Sequence, residues 1–354
     1  MSLEGRLSTT LIGSFPGQDH QKAVEYILKA CPEIPCWPQL PSYPQEGMLV
    51  QFSRGLPGFD SVNLVINPEL PSFEEEMLAF YEEYLAVKEG RKALSESLFS
   101  QEEDEVPGLF LLARALEQVH SLRAIKGQIT GPFTLATSLK TPSGQPVFYD
   151  DTLRDIVNKL VAMRAAWQVE FLKKQGLPVV IFLDEPALAG FGSSAFVGVS
   201  RQEVKTLLME VAEEIKAYGG LPGIHVCANT EWDLLIEAKL AVINFDAFDY
   251  LERFLLYTPL LKDFLRDGGL IAWGIVPTLK PQALLASTSE GLVQKVTQAL
   301  EKIAQEIDIP PEEVARHSLL TPSCGMGTLE ENLALKALDL LPQVSQKLRE
   351  RYGL

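Results

Sequence analysis

Eight short runs of apolar and β-branched residues punctuate this chain of 354 residues, at positions 9–14 (TTLIGS), 61–66 (SVNLVI), 124–130 (AIKGQIT), 178–183 (PVVIFL), 222–227 (PGIHVC), 240–245 (LAVINF), 270–276 (LIAWGIV) and 318–321 (SLLT). Each has the length of a buried strand. Between most of them the apolar residues change to a helical period. Residues 72–85 carry Phe73, Met77, Phe80, Tyr81 and Tyr84 at helical spacing, and 153–175, 201–218 and 290–306 repeat the pattern. Alternating strands and helices specify a parallel sheet with helices outside it. Eight such strands predict an α/β fold closed into a (β/α)8 TIM barrel, as a single domain spanning residues 1–354. An open doubly wound sheet is the alternative, but no G-x-G-x-x-G follows the first run.

Two segments exceed a minimal barrel. Residues 17–60 form a long proline- and glycine-rich insertion after the first strand, with CPEIPCWPQLPSYP near its centre, and residues 138–150 read as a loop. Both follow barrel strands. That places them on the C-terminal face, where barrels carry their chemistry.

Charge and cysteine content narrow the function. A formal net charge of -16 repels phosphate backbones, so nucleic acid is not an expected partner. No run approaches the ~18 uninterrupted apolar residues of a membrane span, and the N-terminal sequence has no apolar core of signal-peptide length. The expectation is a cytoplasmic protein with no membrane partner. Four cysteines in 354 residues are too few for a disulfide framework, so each thiol needs its own explanation.

His225 and Cys227 supply the sharpest signal. They end the fifth run two residues apart, so a strand points both side chains to one face. Imidazole nitrogen and thiolate sulfur are zinc ligands. Asp246 ends the sixth run and Cys324 follows the eighth. A barrel gathers these strand ends around one mouth, giving one nitrogen, two sulfurs and one carboxylate oxygen. Asp246 has two readings: a weak ligand that yields to substrate, or a carboxylate that orients His225. The plainer alternative for Cys227 and Cys324 is a pair of small buried thiols. Cys31 and Cys36, flanked by prolines, read as structural. Trp37 either lines the mouth or packs within its loop. His20, His120 and His317 lack a comparable setting, and His120 falls in a helical pattern.

The chain resembles the C-terminal catalytic barrel of cobalamin-independent methionine synthase, within the superfamily that includes uroporphyrinogen decarboxylase-like barrels and corrinoid-dependent thiol methyltransferases. The resemblance rests on LIGSFP at 11–16, KGQITGPFTLA at 126–136, FLDEPAL at 182–188, HVC at 225–227, INFDA at 243–247 and TPSCGMGT at 321–328, in that order. It matches a short form without the family's N-terminal half. It implies a zinc ion held by His225, Cys227, Asp246 and Cys324, with Asp246 where the family carries Glu. It also implies that Ile12, Gly13 and Ser14 hold the amino-acid end of homocysteine and that Asp184 holds its amine. From the residues alone, Ser14 reads as a turn residue and Asp184-Glu185-Pro186 as a cap for the following helix.

The function expected from this resemblance is a zinc-dependent transfer of a methyl group to a small-molecule thiol, homocysteine giving methionine. Where the family carries Asp-Ile-His-Ser after the seventh strand, with a histidine that donates a proton, this chain has Trp273, Gly274, Ile275, Val276, Pro277 and Thr278. A methylated corrinoid, delivered by a corrinoid protein, needs no such proton and is the expected donor. The competing functions are methyl transfer to another thiol such as coenzyme M, a metal-free decarboxylase of the uroporphyrinogen type, and a non-catalytic homologue that binds zinc or thiol.

Overall fold

The computed structural model describes residues 3–354. Its strands are β1 (Ser8–Thr9), β2 (Phe59–Asp60), β3 (Val65–Ile66), β4 (Ile125–Thr130), β5 (Val179–Asp184), β6 (Leu221–Val226), β7 (Val242–Phe245), β8 (Leu270–Val276) and β9 (Ser318–Pro322). Seven of them form one sheet in the order β1-β9-β8-β7-β6-β5-β4. Every pairing within it is parallel. Chain order runs around the sheet and the last strand lies beside the first, as in an α/β barrel.

The gap between β1 and β4 is filled by residues 35–39. Cys36 bridges Lys126 of β4 and Gln39 bridges Ser14, both in parallel sense. The Lys126 N–H donates to Pro35 O at 2.9 Å, Gln39 N–H to Gly13 O at 3.0 Å, and Phe15 N–H to Gln39 O at 2.8 Å. This corrects the expectation that residues 61–66 supply the second barrel strand. Val65–Ile66 instead pairs antiparallel with Phe59–Asp60 in a separate hairpin. The physical reason is proline. Pro35 and Pro38 remove two amide donors, so the true stave makes a broken ladder and reads as loop in the sequence.

The expected helices form as Phe73–Lys88, Asp151–Lys173, Arg201–Ala217 and Ser289–Ile307. Asp150 caps the second, and a Ser200/Glu203 capping box starts the third. The insertion opens with a further helix, His20–Ala30. His120 is not helical; it lies exposed beyond the end of Pro107–Leu116. Among the described residues, no helix is long and apolar enough to cross a membrane.

Strand alternation divides the core in two. One face packs against the helices. The other fills the barrel floor with Ile34, Ala124, Val180, Phe182, Val242, Leu270, Ala272 and Leu319. Moving up the same inward positions, the side chains turn polar: Ala124 is followed by Lys126 and Gln128, Phe182 by Asp184, Val242 by Asn244, and Leu319 by Thr321. All of these polar residues are buried. The barrel is therefore a dry plug below and a polar chamber at its C-terminal end, which is where a site must lie.

Candidate metal centre

His225 sits on β6 and Cys227 just past its end, on the same inward face. Cys324 lies in the loop after β9. The ligand atoms of these three residues all lie within 4.8 Å of one another. The structure thus brings together three of the four residues proposed from the sequence.

The donor chemistry fits a metal. His225 Nε2 is buried and has no hydrogen-bond partner. Its other ring nitrogen, Nδ1, is 2.5 Å from Asn244 Oδ1 on β7. Burial lowers the His225 pKa to about 4, so the ring is neutral at physiological pH, as a ligand must be. The Cys227 and Cys324 sulfurs lie within 4.8 Å of each other. Their mutual interaction is the main cause that lowers the Cys227 thiol to about 7 and pushes the Cys324 thiol up. A partly ionised thiol beside a bare imidazole nitrogen is a soft donor set suited to zinc.

Asp246 does not belong to this group. Its side chain caps the helix Ala247–Phe254, accepting the Asp249 N–H at 3.0 Å. Burial raises its carboxyl to about 6. The residue that contacts the far side of His225 is Asn244.

Asp184 ends β5, and its Oδ1 is buried without a partner. Burial raises its carboxyl to about 7, against the pull of Lys126. The neighbouring Glu185 does the capping. It accepts Phe133 N–H at 2.9 Å, Thr134 N–H at 2.7 Å and Thr134 Oγ1 at 2.5 Å, at the start of the helix Pro132–Ser138. The Asp-Glu pair thus divides its work: one carboxylate fixes a helix, and the other is left facing the chamber.

The segment of Ile12, Gly13 and Ser14 borders the loop of Cys324. Ser14 O accepts Met326 N–H at 2.9 Å, and Ser14 Oγ accepts Gly327 N–H at 3.3 Å. Gly13 has φ +143, and a Cβ there would come within 2.6 Å of the Gln128 side chain, so only glycine fits. Ile12 O accepts from the buried Lys126 ammonium, which also donates to Gln128 Oε1 at 3.1 Å and lies 4.6 Å from the centre of the Phe182 ring.

Trp37 is fully buried and donates its indole N–H to Gln168 Oε1 at 3.1 Å, so it packs and does not line the mouth. Cys31 and Cys36 are free and buried, with thiols raised by burial. His20 pairs with Glu46 at 2.7 Å, and His317 Nδ1 meets Gly269 O at 3.0 Å. Sequence reasoning missed Asn244 and Lys126. The signal was available: each is a polar residue two positions from an inward apolar one on a strand.

No protein-family model matches the chain, and no curated protein matches it in sequence. Its fold is similar to a B12-independent methionine synthase from Shewanella sp. W3-18-1, solved in complex with selenomethionine, at 17% identity over 71% of this chain and 68% of that one, with a TM-score of 0.48. It is similar to a GH20 catalytic module of the pneumococcal exo-β-D-N-acetylglucosaminidase StrH, at 10% identity over 98% of this chain and 86% of that one, with a TM-score of 0.47. A GH113 β-mannanase from Alicyclobacillus acidocaldarius also matches, at 11% identity over 98% of both chains, with a TM-score of 0.40. These likenesses concern the fold; the chemistry has to come from the side chains.

Proposed function

We propose that His225, Cys227 and Cys324 hold one zinc ion and that the protein transfers a methyl group to the sulfur of homocysteine, giving methionine. The observation that carries this reading is the cluster of a His225 ring nitrogen and two thiol sulfurs, all within 4.8 Å of one another, together with the buried His225 Nε2 that has no hydrogen-bond partner. Three protein ligands and one open position are the pattern of a catalytic zinc rather than a structural one. Zinc in that position supplies one thing, the ionisation of a bound thiol at neutral pH.

The rest is the work of this chain. The unpaired Asp184 carboxylate takes the ammonium of the amino acid, a charge-assisted contact in a buried setting. Ser14 and the adjacent backbone take its carboxylate. Fixing both ends orients the sulfur towards the donor carbon. The donor we propose is a methylated corrinoid carried by a partner protein. A new sulfur–carbon bond forms as the cobalt–carbon bond breaks, and cobalt keeps the electron pair, so the leaving group needs no proton. The absence of histidine among residues 273–278 supports this choice.

Purified protein is expected to contain stoichiometric zinc and, given methylcobalamin and homocysteine, to form methionine. Metal-free protein that cannot be loaded with zinc sinks the reading. Zinc-loaded protein that makes no methionine above background sinks the proposed donor.

A further inference from the structure

We propose that Asn244 is a positioning residue that locks His225 in the tautomer with its proton on Nδ1, so that the unpartnered Nε2 keeps a free electron pair. Calling that electron pair a metal ligand rests on the reading above; the tautomer itself does not.

The donors and acceptors around Asn244 permit one arrangement. Asn244 is fully buried on β7. Its Nδ2 lies 2.8 Å from Ala272 O on β8 and 2.7 Å from Thr321 Oγ1 on β9. A backbone carbonyl can only accept. Were the amide turned over, its own oxygen would confront Ala272 O with no proton between them. The amide nitrogen must therefore face β8 and β9, and Oδ1 must face β6. Oδ1 also can only accept, so His225 Nδ1, 2.5 Å away, must carry a proton. A neutral imidazole holds one proton, and Nε2 is left bare.

One main-chain carbonyl thus sets the protonation pattern of a ring two strands away. His225 pairs with Asn244 across β6 and β7, and Asn244 with Ala272 across β7 and β8, so the relay follows the ladder. An amide suits this place better than the carboxylate often found behind metal-bound histidine. It fixes the ring without adding negative charge beside two sulfurs.

The test is 15N NMR of metal-free protein labelled at histidine, at neutral pH, with the His225 signals assigned from His225→Gln. We expect a protonated, pyrrole-like Nδ1 and an unprotonated, pyridine-like Nε2. A wild-type spectrum with the proton on Nε2 overturns the proposal, and needs no variant to fold. In Asn244→Leu the Nδ1–H form should lose its dominance, and in Asn244→Asp, which still offers an acceptor, it should persist. An unchanged tautomer in Asn244→Leu overturns the proposal. Cobalt(II) titration gives the second readout, with affinity expected to fall on the order of 10–100-fold in Asn244→Leu; equal affinity overturns the positioning role. The expected tautomer in a wild-type protein that takes up no metal supports the lock and sinks the zinc reading instead.

Discussion

Thr278 Oγ1 donates to the carbonyl of Cys324 at 3.0 Å and accepts the Cys324 N–H at 3.1 Å, so the chain just beyond β8 latches the loop that carries the late cysteine. A third contact, the Thr278 N–H donating to Ser323 Oγ at 3.1 Å, closes the latch from the other side. Thr278 therefore helps place a sulfur.

Thr278→Val keeps the shape and removes both hydroxyl bonds to Cys324 and the 3.3 Å contact of the hydroxyl with Ser323 Oγ. Leaving the Cys324 backbone groups unpaired should cost ~1–3 kcal/mol, read from urea unfolding. Zinc retention against a chelator should weaken in parallel. Loss of stability with unchanged zinc retention would show that the latch serves the fold alone.

Cys324→Ser should abolish stoichiometric zinc, because oxygen replaces one of two sulfurs in a three-residue site. Cys31→Ser and Cys36→Ser should leave zinc content unchanged, since both thiols lie apart from that group. Metal analysis of the three variants checks the assignment without any activity assay.

Asp184→Asn should raise stability at alkaline pH in metal-free protein. The wild-type carboxyl is held at about 7 in the folded state, above its ordinary value of 3.8. The folded state therefore keeps a proton that the unfolded chain has already lost, and stability falls as pH rises from about 4 through 7. The variant lacks this loss. Its advantage over wild type should grow across that window and reach on the order of a few kcal/mol above pH 8. A constant difference between pH 4 and pH 9 would refute the burial of an ionisable Asp184.

Lys126→Met removes the cation that holds Asp184 down. Asp184 should then stay protonated at neutral pH and lose its attraction for an ammonium. Affinity of zinc-loaded protein for homocysteine should fall, on the order of tenfold. Affinity for an alkyl thiol without an amine should change less. Equal losses for both thiols would mean that Lys126 does not act through Asp184.

Much of this was legible in the sequence. The run at 270–276 coincides with β8, and those at 124–130 and 178–183 fall within a residue of β4 and β5. Parallel barrel strands are buried on both faces, and a continuous apolar run reports that directly. The His225–Cys227 pair was visible because period-2 geometry is local. The second stave was not, because its prolines erase the strand signal, and residues 61–66 carried a better pattern into a hairpin outside the sheet. Asn244 could be placed on the inward face from its own strand, but its role, like that of Thr278, depends on which strands become neighbours, a property of closure and not of any single run. Asp246 shows the reverse difficulty. Its position after a strand fitted a ligand, and it also fitted the helix cap that its oxygen makes.

The proline-bearing stave has one more consequence, for the chain before it closes. The two borders of the seven-stranded sheet, β1 and β4, are the places where a half-assembled molecule could recruit a strand from its neighbour. The segment that covers both borders is itself poor in amide hydrogens at Pro35 and Pro38, so it makes a bad template for further growth. The same residues that blur the stave leave the edge it contributes poorly suited to pairing with a second chain.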